Sequence, residues 1–204
     1  MSSFMNGMML KRFIVSVVGN KMKGREMSNL TFKKLTNEIE DLVSFMTSNT
    51  WNYHSDSKPT KQQITNAYHK GWYGNDRETH WVEKDNENIG LIIIHDITDT
   101  IPSFDIRLAD NARGKGYGTQ AVKWITNYIF SISDNKIRIE AYTRSDNLAM
   151  RKTLHNSGFV KEGYLRNAWE NKDDSVSDSV CYAMIRTDWE NKIVTPIKLN
   201  DLPF

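Results

Sequence analysis

The stretch that decides the predicted fold is residues 103–130, which read SFDIRLADNARGKGYGTQAVKWITNYIF. Its beginning alternates apolar and polar residues, with Phe104, Ile106 and Leu108 on one side, as a half-buried β-strand requires. A glycine-rich turn interrupts the alternation, and from Thr119 onwards the apolar residues recur with the period of a helix. The stretch therefore predicts a strand, a glycine-rich turn and an amphipathic helix in succession.

The turn, RGKGYG at residues 113–118, has the composition of an anion-binding loop. Glycines let backbone N–H groups approach a ligand closely, and the first N–H groups of a helix attract negative charge. Arg113 and Lys115 would add formal positive charge. The dinucleotide-binding pattern GxGxxG fails because Thr119 stands where its last glycine belongs, and the P-loop pattern is absent from the chain. An ordinary glycine-rich turn remains the alternative.

The rest of the chain predicts further strands and helices on both sides of this unit. Segments that alternate predict strands, and segments with a 3.6-residue period predict helices; residues 91–94 are apolar on both faces, as in a central strand, and Asp146 is a good N-cap. In chain order the predicted elements are a strand at 30–35, helices at 37–46 and 60–73, a hairpin of 80–84 with 88–97, a strand at 136–143, a helix at 147–156 and a hairpin of 159–169 with 176–186.

Composition limits the possible functions. The chain has 204 residues, 39% of them hydrophobic, and a net charge of +2, which suits one folded domain and does not support a nucleic-acid partner. Its one cysteine, Cys181, can form no internal disulfide, so we expect a cytoplasmic location. The five histidines show no metal-binding spacing, and the apolar run at 13–18 is too short to cross a membrane. We predict neither a metal nor a membrane partner.

Three segments are expected along the chain. Residues 1–27 form a leader that is disordered or precedes the physiological start, since Met22 and Met27 are alternative start positions. Residues 28–190 form the folded domain. The tail at 191–204 contains two prolines and has no clear period.

A second motif, beyond the glycine-rich turn, gives the chain a family resemblance. Residues 147–164, NLAMRKTLHNSGFVKEGY, resemble the N-x-x-[SA]…GF…EG pattern that closes many domains of the Gcn5-related N-acetyltransferase (GNAT) family. The turn RGKGYG resembles the pyrophosphate loop of the same family. The two motifs stand in the family's order, and the resemblance covers about residues 29–187. It is nearest to the branch that contains the ribosomal-protein N-acetyltransferases.

The resemblance implies an α+β fold with acetyl-CoA as cosubstrate and no metal. It implies a single domain with a mixed, largely antiparallel sheet, splayed at two central parallel strands (103–109 and 136–143), and helices on both faces. Acetyl-CoA would be wedged between those strands, with its pantetheine arm on the backbone of Leu108, Ala109 and Asp110 and on the side-chain amide of Asn147. The pyrophosphate would bind the loop and the helix start, residues Arg113, Gly114, Lys115, Gly116, Tyr117, Gly118 and Thr119.

The chain departs from the family pattern at two positions. Many members have a tyrosine, four residues before the glycine of GF, that protonates the departing thiolate, and here Leu154 stands there. The ribosomal-protein branch often has serine where this chain has Met150. A thiol with a pKa near 8.5 leaves as thiolate without much help. We therefore expect an N-acetyltransferase in which a primary amine, at a protein N-terminus or on a small molecule, attacks the thioester directly.

Two other functional classes stay open. The first is a GNAT-like domain that binds acyl-CoA as a sensor with weak or no turnover, which the departures at Leu154 and Met150 favour. The second is a structural or nucleic-acid-binding domain, for which the near-neutral charge is poor support.

The acceptor side requires a base, because attack on a thioester needs a neutral amine and a lysine-like amine is protonated at pH 7. The catalytic candidates are Glu140 and Asp105 on the splayed strands and Glu162 after the GF motif, with Glu140 placed first because its strand leads to the helix of Asn147. The substrate-binding candidates are Trp51, His54 and Tyr164. A homodimer is left open.

Overall fold

The computed structural model describes residues 30–201, so the predicted leader at 1–27 lies outside the described part of the chain. Short 3-10 turns occupy Asp110–Ala112 and Leu199–Asp201, and residues 193–198 have no regular secondary structure. In chain order the other elements are β1 (Thr31–Lys34), α1 (Ile39–Ser48), α2 (Lys61–His69), β2 (Glu78–Lys84), β3 (Glu87–His95), β4 (Ser103–Leu108), α3 (Tyr117–Ile132), β5 (Arg138–Arg144), α4 (Leu148–Asn156), β6 (Val160–Glu170), β7 (Val176–Ile185) and α5 (Arg186–Asn191).

The strands form one seven-stranded mixed sheet in the order β1-β2-β3-β4-β5-β7-β6. Every neighbouring pair is antiparallel except β4 and β5, which run parallel. The α3 helix provides the crossover between the two parallel strands, as a parallel pair requires. The predicted α+β fold with a largely antiparallel sheet and two central parallel strands is therefore confirmed.

Each face of the sheet is covered by helices, and the alternation within β3 shows how. Ile92 and Ile94 belong to a core cluster beneath α3 and α4. Leu91 and Ile93 belong to a second cluster beneath α1 and α2. A strand buried on both faces must be apolar throughout, which confirms the prediction of a central strand at 91–94.

Two helix boundaries differ from the predicted ones. The α2 helix begins after Thr60, which forms a capping box with Gln63, but it ends at His69, before the predicted end at 73. The chain leaves the helix there because Gly71 takes a φ of +75°, a conformation that favours glycine and that a helix cannot continue through.

At the start of α4 the N-cap is Asn147 and not Asp146. The Oδ1 atom of Asn147 accepts a hydrogen bond from the Met150 N–H at 3.1 Å, which satisfies one of the free N–H groups of the first turn. The carboxylate of Asp146 instead pairs with Arg144 at 2.8 Å. Either residue type can cap a helix, and the nearby guanidinium decides between them.

Candidate active site

Strands β4 and β5 separate in the middle of the sheet and leave a cleft. They are paired at Ser103 and Glu140, where the Glu140 N–H donates to the carbonyl of Pro102 at 3.0 Å. From there towards Leu108 and Arg144, no further pairing joins the two strands in the described chain. The cleft therefore has a closed end at Ser103–Glu140 and an open end beside the glycine-rich turn.

The edge of β4 that faces the cleft offers unpaired backbone groups. The Ala109 N–H donates to the carbonyl of Ile89, at the start of β3, at 2.9 Å. Because the direction of N–H and C=O groups alternates along a strand, those of Phe104, Ile106 and Leu108 point towards β5. Phe104 lies at the Ser103–Glu140 pairing, so Ile106 and Leu108 are the residues that face the open cleft. A ligand with an extended arm and amide groups can add to such an edge as a further strand.

This register changes the predicted set of backbone contacts at Leu108, Ala109 and Asp110. The Ala109 N–H is used by β3, and the Asp110 N–H donates to the side chain of Asn49 at 2.9 Å. The carbonyl of Leu108 lies on the free edge but accepts a hydrogen bond from Arg113 Nε at 2.9 Å. The backbone groups that remain free for a ligand are therefore those of Ile106 and the N–H of Leu108. They differ from the predicted set because the pairing of β4 with β3 fixes which residues of β4 direct their backbone groups towards the cleft.

The glycine-rich turn has the backbone conformation of an anion-binding loop. Gly114 has a φ of +73° and Gly116 a φ of +85°, both in the left-handed region that favours glycine. A Cβ atom at either position would meet nothing within 4 Å, so conformation and not crowding requires glycine there. Gly116 is also the N-cap of α3 and supplies no side-chain hydrogen bond to the helix. The first N–H groups of this 16-residue helix are therefore open to an anion.

The start of α3 is held close to α4. A Cβ atom on Gly118 would lie 3.6 Å from the side chain of Thr153 and 3.7 Å from that of Leu108. Tyr117 and Thr119 flank this glycine in the first turn of the helix and are half-buried. The predicted pyrophosphate-binding residues thus form one continuous segment at the open end of the cleft.

The two cations predicted for this loop are not equivalent. Arg113 donates to the carbonyls of Leu108 and Thr50 and pairs with Asp110 at 2.8 Å. Its charge is therefore largely offset, and it fastens the chain at Thr50 to the end of β4. Lys115 is exposed and forms no ion pair within residues 30–201, so it is the cation that an incoming anion would meet.

Asn147 reaches the cleft only in part. Its Oδ1 atom caps α4 through the Met150 N–H, and its Nδ2 atom donates to Thr143 Oγ1 at 3.1 Å. A second N–H of the same amide group remains for a ligand. The predicted contact between this side chain and a pantetheine arm stays a prediction.

Glu140 and Glu162, two of the predicted catalytic carboxylates, share one guanidinium. Arg138 contacts Glu140 at 2.8 Å and Glu162 at 2.6 Å, and the hydroxyl of Tyr142 donates to the second Glu140 oxygen at 2.7 Å. Burial raises the pKa of Glu140, but the hydrogen bonds from Tyr142 and Arg138 outweigh it, and the pKa lies below its ordinary value. A carboxylate in this state is a weak base.

Asp105, the third carboxylate, lies on the α1–α2 face of β4 and has two partners. Its Oδ1 atom is 3.7 Å from His54 Nδ1, and its Oδ2 atom is 3.3 Å from Arg107. Burial raises the pKa of Asp105, but the charges of His54, Arg107 and His95 hold it below its ordinary value. The structure thus brings together Asp105 and His54, which the sequence analysis had placed in separate roles.

His95 and Arg77 extend this polar cluster, and the sequence analysis had not included them. The Arg77 Nε–H donates to His95 Nδ1 at 3.1 Å. Burial lowers the pKa of the His95 imidazole. No spacing in the sequence connects these residues to Asp105; the antiparallel pairing of His95 with Ser103 places them near it.

Two predicted substrate-binding residues have other surroundings. Trp51 is only 2% exposed, and its indole N–H donates to the Met46 carbonyl at 2.8 Å. Its ring is therefore a core side chain that anchors the α1–α2 loop and cannot contact an acceptor. Tyr164 lies on the edge strand β6 opposite the core residue Val180, and its hydroxyl donates to Asp178. It faces away from the α1–α2 side because strand parity places it on the other face.

The loop between α1 and α2 crosses the open end of the cleft. The Lys172 N–H donates to the Ser55 carbonyl at 3.1 Å, and Lys172 Nζ pairs with Asp56 at 2.8 Å. The Arg144 guanidinium lies 5.6 Å from the centre of the Tyr53 ring. The loop is therefore joined to the β6–β7 turn on one side of the cleft and, through Thr50, to the end of β4 on the other.

Neither a metal site nor a membrane span is found within residues 30–201. No group of three or more His, Cys, Asp or Glu side chains in this range is placed to hold a metal ion. No helix in the same range has the length and apolar character needed to cross a membrane.

Comparison with known proteins agrees with this architecture. A family model described as an acetyltransferase (GNAT) domain matches residues 29–160. No curated protein matches the sequence. A spermidine N-acetyltransferase from Vibrio cholerae in complex with CoA and spermine is 20% identical, with a TM-score of 0.69 over 79% of this chain and 98% of that chain. A dodecameric structure of spermidine N-acetyltransferase from Vibrio cholerae is 19% identical, with a TM-score of 0.65 over 80% and 97%. A probable acetyltransferase is 18% identical, with a TM-score of 0.64 over 80% and 96%. At these identities the likeness establishes the fold.

Proposed function

The chain belongs to the GNAT acetyltransferase family, and from this we propose that it is an enzyme that transfers the acetyl group of acetyl-CoA to a primary amine. The amine would attack the thioester directly, with CoA as the leaving group. The ribosomal-protein branch and the domain limits of 28–190 are part of this proposal.

The cleft between β4 and β5 supports the donor. Its free edge at Ile106 and Leu108 can pair with the amides of a pantetheine arm. At its open end stand the uncapped N-terminus of α3 and the exposed Lys115, which suit a diphosphate. A strand edge that leads into an anion site matches the two halves of CoA in the right order, and this single feature carries the proposal.

The chemistry does not require the tyrosine that the family pattern has at Leu154. Leu154 is fully buried in the core beneath α3 and α4. Its side chain has no hydroxyl, so it cannot protonate the departing thiolate. A thiol with a pKa of about 8.5 departs readily as the thiolate. The acceptor amine is protonated at neutral pH, so removing its proton is a greater requirement for catalysis than protonating the thiolate.

The α1–α2 loop supports a slender acceptor. Because Ser55 and Asp56 are fastened to Lys172, the loop bridges the two sides of the cleft, and we propose that this bridge favours a slender acceptor over the surface of a folded protein. The similar structures from Vibrio cholerae are named for spermidine, so we propose a small primary amine as acceptor, with polyamines tested first. A flexible protein N-terminus is the second acceptor class.

The test is thiol release from acetyl-CoA with a panel of polyamines, amino-acid amides and peptides with free N-termini. Turnover with one class of amine supports the enzyme and identifies the acceptor. Stabilisation by CoA without turnover of any amine would support the alternative, an acyl-CoA-binding sensor domain. Absence of both would overturn the proposal, because a ligand that binds the native state at a hundred times its Kd raises stability by about 2.7 kcal/mol.

Location and assembly belong to the same proposal. A reducing cytoplasm suits a chain whose one cysteine is Cys181. One similar structure is a dodecamer, so we propose that the chain self-associates. Light scattering of the purified protein at several concentrations would decide between a monomer and an oligomer.

A further inference from the structure

His54 lies beside Asp105 with one of its ring nitrogens turned towards the carboxylate. Its Nδ1 atom is 3.7 Å from Asp105 Oδ1, while the second oxygen of Asp105 is engaged by Arg107 at 3.3 Å. The Nε2 atom of His54 is therefore the nitrogen that remains for a ligand. The side chains of His54 and Asp105 are each 23% exposed, so the pair is partly shielded but open to a small molecule.

We infer that His54 accepts the proton of the acceptor's ammonium group and that Asp105 positions His54 for this step. The inference rests on the proposed function, because only a reaction that consumes a neutral amine needs a base at this place.

The need for a base follows from the acceptor. An alkylamine with a pKa near 10.4 is neutral in only about one molecule in 2,500 at pH 7. A positioned base that removes the proton in the complex typically contributes 10²–10⁴-fold to the rate, by the general magnitude for acid–base catalysis.

The other carboxylates are poorly suited to this role. Arg138 neutralises both Glu140 and Glu162, and Tyr142 occupies the remaining oxygen of Glu140. A proton placed on Glu140 would have to break one of these contacts. His54 has no such competitor at Nε2 among the described hydrogen bonds.

The surroundings of His54 lower the pKa of its imidazole, which favours the neutral form that a base requires. Burial lowers the pKa of His54; Asp105 raises it, and Arg107 and Arg113 lower it further. These three groups, two on or beside β4 and one before α3, are the charges that face the ring. Once the imidazole is protonated, Asp105 stabilises the imidazolium.

Asp105 and His54 lie near the end of the cleft where the acetyl group of the donor is expected. Asp105 lies two residues beyond Ser103, where β4 and β5 are still paired, so it borders the closed end. A pyrophosphate at the open end leaves the acyl end of the donor near the closed end. The main chain of the α1–α2 loop crosses the open end, and from it the His54 side chain extends to Asp105. The loop is fixed by the buried ring of Trp51 and by the hydrogen bond from the His54 backbone N–H to the Trp51 carbonyl at 3.0 Å.

The proposed step balances in protons and bonds. One proton of R–NH₃⁺ passes to His54 Nε2, directly or through a water molecule, and the neutral amine nitrogen forms a bond to the thioester carbonyl carbon. The carbon–sulfur bond breaks, and the sulfur takes a second proton from the former amine nitrogen. The products are the amide and the free thiol, and His54 returns its proton to solvent.

The experiment compares the wild type with His54→Gln and with the matched control His69→Gln, between pH 6 and 9.5, using the amine that the panel identifies. His69 is a suitable control because it is an exposed histidine at the end of α2, outside the cluster of Asp105 and His54. For each protein, kcat/KM for the amine and stabilisation by CoA are measured.

We expect His54→Gln to lose about 100-fold in kcat/KM at pH 7 and to regain activity by about tenfold per pH unit, as solvent deprotonates the amine. The wild type should stay nearly level above pH 7, so that the gap closes to below about tenfold at pH 9.5. The control should lose less than threefold, and all three proteins should be stabilised equally by CoA.

Two results would overturn the inference. One is an unimpaired His54→Gln enzyme, and the other is a loss of equal size at every pH, which would indicate a structural role. A wild type that CoA does not stabilise would instead overturn the proposed function, and the inference with it. If His54→Gln lost stabilisation by CoA, its activity loss would reflect donor binding, and this result would also count against the inference.

Discussion

Gly90 and Gly116 constrain the chain in different ways. Gly116 lies in open space, but its φ of +85° suits glycine. Gly90, on β3, has no such φ, but a Cβ atom there would lie 2.8 Å from the Arg107 carbonyl oxygen and 3.1 Å from the Val82 Cβ. One glycine therefore serves the shape of the ligand loop, and the other serves the close approach of β3 to its neighbours.

Gly116→Val should weaken CoA binding at least tenfold, equivalent to about 1.4 kcal/mol, while the protein stays folded. A β-branched residue resists the left-handed conformation, so the N–H groups at the start of α3 would move. Titration calorimetry with CoA measures the effect. Gly74→Val is the matched control, because a Cβ atom at Gly74 meets nothing within 4 Å and its φ is not positive. Unchanged CoA affinity in a folded Gly116→Val protein would mean that the loop does not hold the pyrophosphate.

Gly90→Ala should lower the free energy of unfolding by about 1–3 kcal/mol, the usual range for forcing an extra methyl group into a packed site. The crowding atom is a backbone carbonyl and cannot turn aside, so β3 and β4 must separate. Denaturant unfolding of the variant measures the loss. A stability equal to the wild type's would show that the strands relax without cost.

Strand β4 joins the two halves of the sheet and uses its two edges differently. Its Arg107 and Asp105 are opposite Leu91 and Ile93 on β3, and strand alternation directs their N–H groups to that strand. The N–H groups of Ile106 and Leu108 point into the cleft. A ligand that binds as an added strand would complete the second edge without altering the first.

Hydrogen exchange should reveal this alternation. Without ligand, the amides of Ile106 and Leu108 should exchange faster than those of Asp105 and Arg107, because unpaired amides are less protected. With saturating CoA, Ile106 and Leu108 should slow by at least tenfold, while the two amides bonded to β3 change little. Residue-resolved exchange by NMR measures all four. Equal slowing of the four amides would indicate general stabilisation without an added strand.

At the scale of the whole molecule, a polar network ties the outer strands to the central helix. Glu78 on β2 accepts hydrogen bonds from His80 at 2.8 Å and from Tyr128 on α3, and it pairs with Lys34 on β1 at 3.0 Å. The bond from His80 lowers the pKa of Glu78, burial opposes it, and Tyr128 and Lys34 lower it further, to about 2. The network therefore stabilises the fold only while Glu78 is ionised.

The stability that Glu78 contributes should depend on pH with a definite sign. Because its folded pKa lies below the unfolded value of 4.5, the unfolded chain binds the proton first as the pH falls. The contribution is complete above pH 4.5 and is lost towards pH 2. We expect Glu78→Gln to be less stable than the wild type by on the order of 2 kcal/mol at pH 7, with the gap narrowing below pH 4.5 and closing towards pH 2.

Urea unfolding of both proteins across this range measures the gap. Glu87→Gln, at an exposed position, serves as control and should differ from the wild type by less than about 0.5 kcal/mol throughout. A gap that stayed constant with pH would assign the effect of Glu78 to packing and not to its charge.

The sequence by itself determined the elements and their class. The alternation of residues 103–108, the glycines of RGKGYG and the helical period after them are local properties, because backbone geometry sets the side-chain period and φ preferences act residue by residue. For this reason the strand, turn and helix and the buried central strand at 91–94 could be predicted from local patterns. The splayed pair of parallel strands was instead implied by the resemblance of the two motifs to the GNAT family.

Only the tertiary structure decided which side chains are available to a ligand. Arg113 was predicted as a free cation and is committed to Thr50 and Asp110, while Trp51 was predicted in the acceptor site and lies in the core. Their partners are distant in sequence and come close only through the packing of the α1–α2 loop onto β4. The contact between His54 and Asp105 has the same origin, because the periodicity of a sequence reports local structure and not contacts between distant residues.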